Sequence, residues 1–155
     1  MRGFGMAAAG VALVCGSLAS AAPLADGGVT AQEVAQVLQS KGFQAEIKTE
    51  KSGDPMVLSS SGGATFVILF YECRSRPRCA SIQFSAAFPR TGLTAEKVAE
   101  WNRTKRFGKA WQDKDLDPWV EMDVDVEHGA TTEAIASDLD RWASVLGSFA
   151  RFCGL

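Results

Sequence analysis

Histidine is almost missing from this 155-residue chain: His128 stands alone, beside a turn glycine. A zinc site built from several imidazoles is thereby excluded, because a structural zinc takes four ligands. So is a serine or cysteine nucleophile with a histidine base, since His128 has no evident partner. Gly-x-Ser-x-Gly does not occur, and no glycine-rich loop follows a strand and opens a helix; Ser61-Gly62-Gly63 leads into a strand instead. Basic charge is not in excess, with 16 Lys and Arg against 18 Asp and Glu and a formal net charge of −2. That balance leaves no electrostatic footprint for nucleic acid. We find no internal repeat. The longest apolar run, Met6 to Leu18, falls short of the ~20 residues a membrane-spanning helix needs.

That run has Arg2 before it and Ala19-Ser20-Ala21 after it, the layout of a secretory signal peptide. We expect residues 1–22 to be a leader that is removed, 23–29 a loose linker, and 30–155 one domain. The mature protein is then periplasmic or secreted, with no membrane anchor. A lipoprotein reading through Cys15 is disfavoured, because Val14 stands where an acylation site wants a small residue.

Beyond the leader lie Cys73, Cys79 and Cys153. Cys73 and Cys79 bracket Arg74-Ser75-Arg76-Pro77-Arg78 between two strand-like stretches. This spacing lets their α-carbons face one another near the ~5.5–6 Å of a disulfide, and an exported chain meets an oxidising milieu. A redox pair would need a shorter Cys-x-x-Cys at a helix start. Arg74, Arg76 and Arg78, held on a stapled hairpin tip, are candidate ligands for a phosphate, an acidic peptide or an anionic headgroup; the plainer reading is a solvated charge run. Cys153 reads as a small buried hydrophobe at the end of an apolar stripe. Asp113-Lys-Asp-Leu-Asp117 mimics half of a calcium loop, then fails at Pro118 and Val124, and reads as a solvated turn.

Periodicity supplies the elements. Val29-Thr30-Ala31-Gln32-Glu33-Val34 is a capping box opening a helix, which Gly42 ends with Phe43 folded back on Leu38. Phe43 to Lys48 alternates as a half-buried strand, Met56 to Ser60 is a short strand, and Thr65 to Tyr71 is apolar on both faces, as a central strand is. Cys79 to Phe88 continues it past the arginine tip. Thr94 caps a second helix whose last turn, Arg103 to Lys109, is basic. Trp119 to Val126 is a strand with one acidic side, and from Thr132 the stripe Ile135, Leu139, Trp142, Leu146, Phe149 predicts a long helix. The order reads α-β-β-β-α-β-α, an α+β sandwich in which helices cover an antiparallel sheet.

At Trp101-Asn102-Arg103-Thr-Lys-Arg106-Phe107-Gly108, followed by an acidic turn, a strand ending Glu121-Met122-Asp123, and Thr131 opening a helix with Trp142, the chain resembles the YbjN-like family of bacterial sensory transduction regulators. The resemblance implies a type III secretion chaperone-like sandwich that binds other proteins and often pairs. It brings no catalytic residue. Trp101, Asn102, Arg106 and Phe107 match the family motif. Trp101 reads as core beside Val98, and Asn102 as a cap on the adjoining strand's backbone in preference to a ligand contact. The expectation is a non-enzymatic interaction or regulatory module without metal or cofactor, binding a protein or peptide partner or forming a homodimer. The alternative is a periplasmic small-ligand sensor or weak hydrolase with a pocket near Trp101 and Arg106, marked by an enclosed cleft joining Asn102, Arg106 and Asp123.

Overall fold

The structure, a computed structural model, describes residues 22–73, 77–89 and 91–155. The leader assigned to 1–22 lies outside them except for Ala22, as do Arg74 and Arg76. The described elements run α1 (Ala31–Ser40), β1 (Glu46–Thr49), β2 (Pro55–Ser61), β3 (Ala64–Tyr71), β4 (Ser81–Ala87), α2 (Ala95–Thr104), β5 (Lys109–Gln112), β6 (Pro118–Asp125) and α3 (Thr132–Phe152). One open sheet, antiparallel throughout, takes the order β1-β2-β3-β4-β6-β5. The fold is α+β as expected, with six strands where the sequence order counted four. Cys79 to Phe88 supplies a strand of its own, the second helix ends at Thr104 and not at Lys109 as expected, and Lys109 to Gln112 is β5.

Alternation dictates which face is buried. Phe66, Ile68 and Phe70 on β3, Ile82, Phe84 and Ala86 on β4, and Val120 and Met122 on β6 are sealed under α1 and α3. From α3, Trp142 stacks on Phe84 at 5.6 Å between centroids and meets Phe66 edge-on at 5.9 Å. Leu139, Leu146 and Phe149 continue the stripe, each fully buried; every such side chain contributes about 1.5–3 kcal/mol of transfer free energy. β3 and β4 occupy the middle of the sheet, where strands apolar on both faces belong. By contrast β1 is exposed along its length, Ile47 included at 43%. An edge strand has a neighbour on one side only, so the inward alternation of Ala45 and Ile47 is only partly covered.

The caps form as their chemistry requires. The Thr30 hydroxyl accepts from the Glu33 N–H at 3.1 Å, and the Glu33 carboxylate accepts from the Thr30 N–H at 2.8 Å. Gly42 takes a left-handed φ of 83°, and Phe43 donates to the Leu38 carbonyl at 3.0 Å. Thr94 and Thr131 cap α2 and α3.

Pro23 to Gly28 is not loose. Leu24 donates to Ala130, Gly27 to Glu127, and Val29, fully buried, exchanges two backbone bonds with Cys79 at 3.0 and 2.8 Å. Gly28 presses against that bridge: a Cβ there would stand 2.0 Å from the Cys79 carbonyl oxygen, at a φ of 101°.

Candidate functional site

Three surfaces carry the residues singled out by the sequence. The first is the cysteine hairpin. The β3–β4 ladder ends at Tyr71 opposite Ser81; continued by two residues, its register sets Cys73 against Cys79, and these form a disulfide with α-carbons 3.9 Å apart. They are closer than the facing-strand distance because pairing has already stopped: Glu72 has a left-handed φ of 55°, and Cys79 pairs with Val29 instead. Arg78 is not an outward-facing ligand. Its guanidinium donates to the carbonyls of Ala25 and Gly28 and to Glu33 at 3.1 Å, a part-buried ion pair that joins the N-terminal segment, the α1 cap and the hairpin. Those four donations, to three residues, occupy the planar fork that an external anion would have used. The cleft beside this hairpin, between α1, β1 and the disulfide, is open and measures about 450 Å³.

The second surface is the end of α2. Trp101 is buried against Phe149 and Phe152 and donates its indole N–H to Gly108 at 2.8 Å. Asn102 donates to the Ala110 carbonyl and accepts from the Ala110 N–H, at 2.9 and 2.8 Å. This amide clamp begins β5 and explains why the helix stops at Thr104. Arg106 is exposed, its guanidinium 4.8 Å from the Phe107 ring centre; the Arg141 guanidinium from α3 lies 5.0 Å from the same ring. The cleft at Arg106 measures about 260 Å³ and includes neither Asn102 nor Asp123. The enclosed cleft expected to join these three residues is therefore replaced by two separate environments.

The third surface is the side of the sheet away from α1 and α3. Cross-strand register lines up Glu46, Leu58, Val67, Ser85, Glu121 and Lys109 in one row and Lys48, Met56, Leu69, Gln83 and Asp123 in the next. Met56, Leu58, Val67 and Leu69 are only half-buried, and among the described residues no helix lies over them. Trp111 and Trp119 face each other across β5 and β6 and stack at 5.5 Å, with planes 14° apart. Asp113 accepts from the Trp119 indole at 3.1 Å and from the Asp115 and Asp117 N–H groups. These bonds, the indole's first, hold its carboxyl below the usual range, and they knit the turn to itself. The Tyr71 hydroxyl donates to Gln83 at 3.3 Å, and the Gln83 amide donates to Asp123 at 2.7 Å. Burial, with Glu50, Glu121 and Asp123 nearby, pushes the Tyr71 phenol up.

The sequence missed the tryptophan stack and the Phe107–Arg141 contact. A period-two signal existed in Ala110 and Trp111, inward and outward, but four residues after a basic run gave it no length.

The family model of YbjN, described as "Putative bacterial sensory transduction regulator", matches residues 30–154. The chain belongs to the YbjN family. That family is described as a regulator, not as an enzyme, and its match begins at the Thr30 cap, spans all nine elements and takes in both cysteines of the hairpin. No curated protein and no solved structure matches the chain. Among the described residues no helix is long and apolar enough to cross a membrane.

Proposed function

We propose that the chain is a non-enzymatic, exported regulatory module that binds a protein partner on the open face of its sheet, as a chaperone-like sandwich would. The observation that carries this reading is the uncovered apolar strip Met56, Leu58, Val67 and Leu69 on β2 and β3, on the same face as the stacked Trp111 and Trp119 and separated from them by β4. Tryptophan anchors ringed by polar groups are the usual energetic centre of a protein interface. Glu46, Glu121, Asp123 and Asp125 outnumber Lys48 and Lys109 on that face, so the partner suited to it presents apolar side chains flanked by lysine or arginine. Export is supported by the leader pattern and by the Cys73–Cys79 bridge.

The test compares the wild-type chain with Leu58→Asp, each used to capture proteins from the periplasmic fraction. Support requires a captured protein that, once purified, binds the wild type, protects β2, β3 and β6 amides from exchange and fails to bind the variant. Capture unaffected by Leu58→Asp would overturn the reading. So would a chain recovered only from the cytosol. A dimer that dissociates on the same substitution would replace the partner protein with a second copy.

A further inference from the structure

The cleft between α3 and the α2–β5 turn serves no purpose in the partner-binding reading, and its chemistry stands apart from the sheet face. Its apolar lining is Phe107, 56% exposed, above the nearly sealed Val145 and Trp101. Around the rim are three cations, Lys105, Arg106 and Arg141, and two hydroxyls, Ser144 and Ser148, one helical turn apart on α3. Lys105 and Arg106 form no ion pair among the described residues, and Lys105 lies 6.0 Å from the Trp101 ring. Arg141 pairs with Asp138 of its own helix and Glu100 lies within the electrostatic reach of Lys105, so three cations stand against two acids. Ser148 accepts from Arg151 at 3.3 Å, which leaves its own proton available to donate.

The backbone at this spot is held in an uncommon form. Gly108 donates to the Arg106 carbonyl at 2.9 Å across Phe107, whose φ is 70°. A tight three-residue turn with a bulky aromatic at positive φ is strained. It persists because Gly108 fills the space against Val145 and Val120, where a Cβ would come within 2.5 Å of a Val145 methyl. The result places Phe107, 56% exposed, with two guanidiniums on its ring. A solvated charge run has no need of such a turn.

We propose that this cleft binds a small phosphate monoester, its phosphoryl oxygens held by Lys105, Arg106 and Arg141 and its organic part resting on Phe107 and the exposed edge of Val145. Two considerations select this class. A phosphoryl dianion offers three acceptor oxygens to three cations, whereas one carboxylate saturates a single guanidinium fork. The volume of about 260 Å³ is below that of drug-sized sites, which suits a compact ester.

Isothermal titration calorimetry of the full mature chain with phenyl phosphate, inorganic phosphate and benzoate tests the assignment. Phenyl phosphate is expected to bind best, inorganic phosphate more weakly because it gains nothing from the apolar lining, and benzoate weakest. Arg106→Gln and Arg141→Gln should each weaken phenyl phosphate about tenfold or more; Arg106→Gln, at an exposed side chain, should do so without moving the thermal midpoint, whereas Arg141→Gln also breaks the Asp138 pair and is read with that variant's own midpoint as reference. No binding at millimolar ligand, binding unchanged in both variants, or benzoate as tight as phenyl phosphate would each overturn it. Leu58→Asp serves as a control: it leaves this binding intact, so failure here and failure of the sheet-face reading are told apart.

Discussion

The Asn102 side chain and the Ala110 backbone satisfy each other in both directions, donor to carbonyl at 2.9 Å and N–H to oxygen at 2.8 Å. An edge strand of four residues has few other restraints at its start, so this clamp sets where β5 begins. Asn102→Ala leaves a nearly buried N–H and carbonyl without partners and is expected to cost about 1–2 kcal/mol, a drop of roughly 2–4 °C in melting temperature per kcal/mol for a chain of this size. Amide exchange at Ala110 should accelerate in the variant. An unchanged exchange rate would show that β6 alone holds the strand.

Glu33 links stability to acid. Burial, the strongest single influence, pushes its carboxyl up, but bonds from the Thr30 N–H, Arg78 and the Thr30 hydroxyl together outweigh it and hold the group below its ordinary 4.5. With the folded value depressed, the contribution is fully present above the unfolded value and drains away as pH falls through the folded one. Thermal midpoints measured from about pH 6 down to about pH 3 should therefore fall more steeply for the wild type than for Glu33→Gln, the curves converging in acid. Parallel curves would remove Glu33 from the acid response.

These two cases mark what was legible in the sequence. Capping, the central β3 strand and the α3 stripe are local patterns, each readable within a dozen residues, and all appear at their expected places. The role of Arg78 was not readable, because its acceptors Ala25, Gly28 and Glu33 lie 45 to 53 residues away and only the closed fold brings them in. β5 was hidden for a similar reason: Lys109 to Gln112 has no strong propensity of its own and is a strand because β6 and Asn102 make it one. Cys73 and Cys79 were legible through their spacing taken together with the leader pattern. The cleft at Arg106 was half legible, since Arg106 belongs to the motif while Arg141 reaches Phe107 from a distant helix.

Peptide mapping without reduction is expected to recover Cys73 and Cys79 in one cross-linked fragment and Cys153 as a free thiol. Burial raises the Cys153 thiol, so its alkylation in the folded protein at neutral pH should be slow and should quicken in denaturant. Replacing Cys73 and Cys79 by serine removes a loop constraint worth about 2 kcal/mol; the variant folds with a lower melting temperature. Free, alkylatable Cys73 and Cys79 in protein taken from outside the cytosol would contradict both the clasp and the export it supports.

Trp142 has an unusual position in the core: fully buried, packed on Phe66 and Phe84, and with its indole N–H lacking any partner among the described residues. An unpaired buried donor carries a desolvation cost of about 1–3 kcal/mol. Trp142→Phe removes that donor while keeping most of the ring, so relief of the cost offsets the lost volume and the net change should stay within about 1.5 kcal/mol. Trp142→Ala, which opens a cavity between α3 and the sheet, should cost about 3–5 kcal/mol. Urea midpoints of the two variants separate the terms. A Trp142→Phe loss well above about 1.5 kcal/mol would mean that the N–H is satisfied in solution by a buried water, and the unpaired donor would then play no part in the energetics of this core.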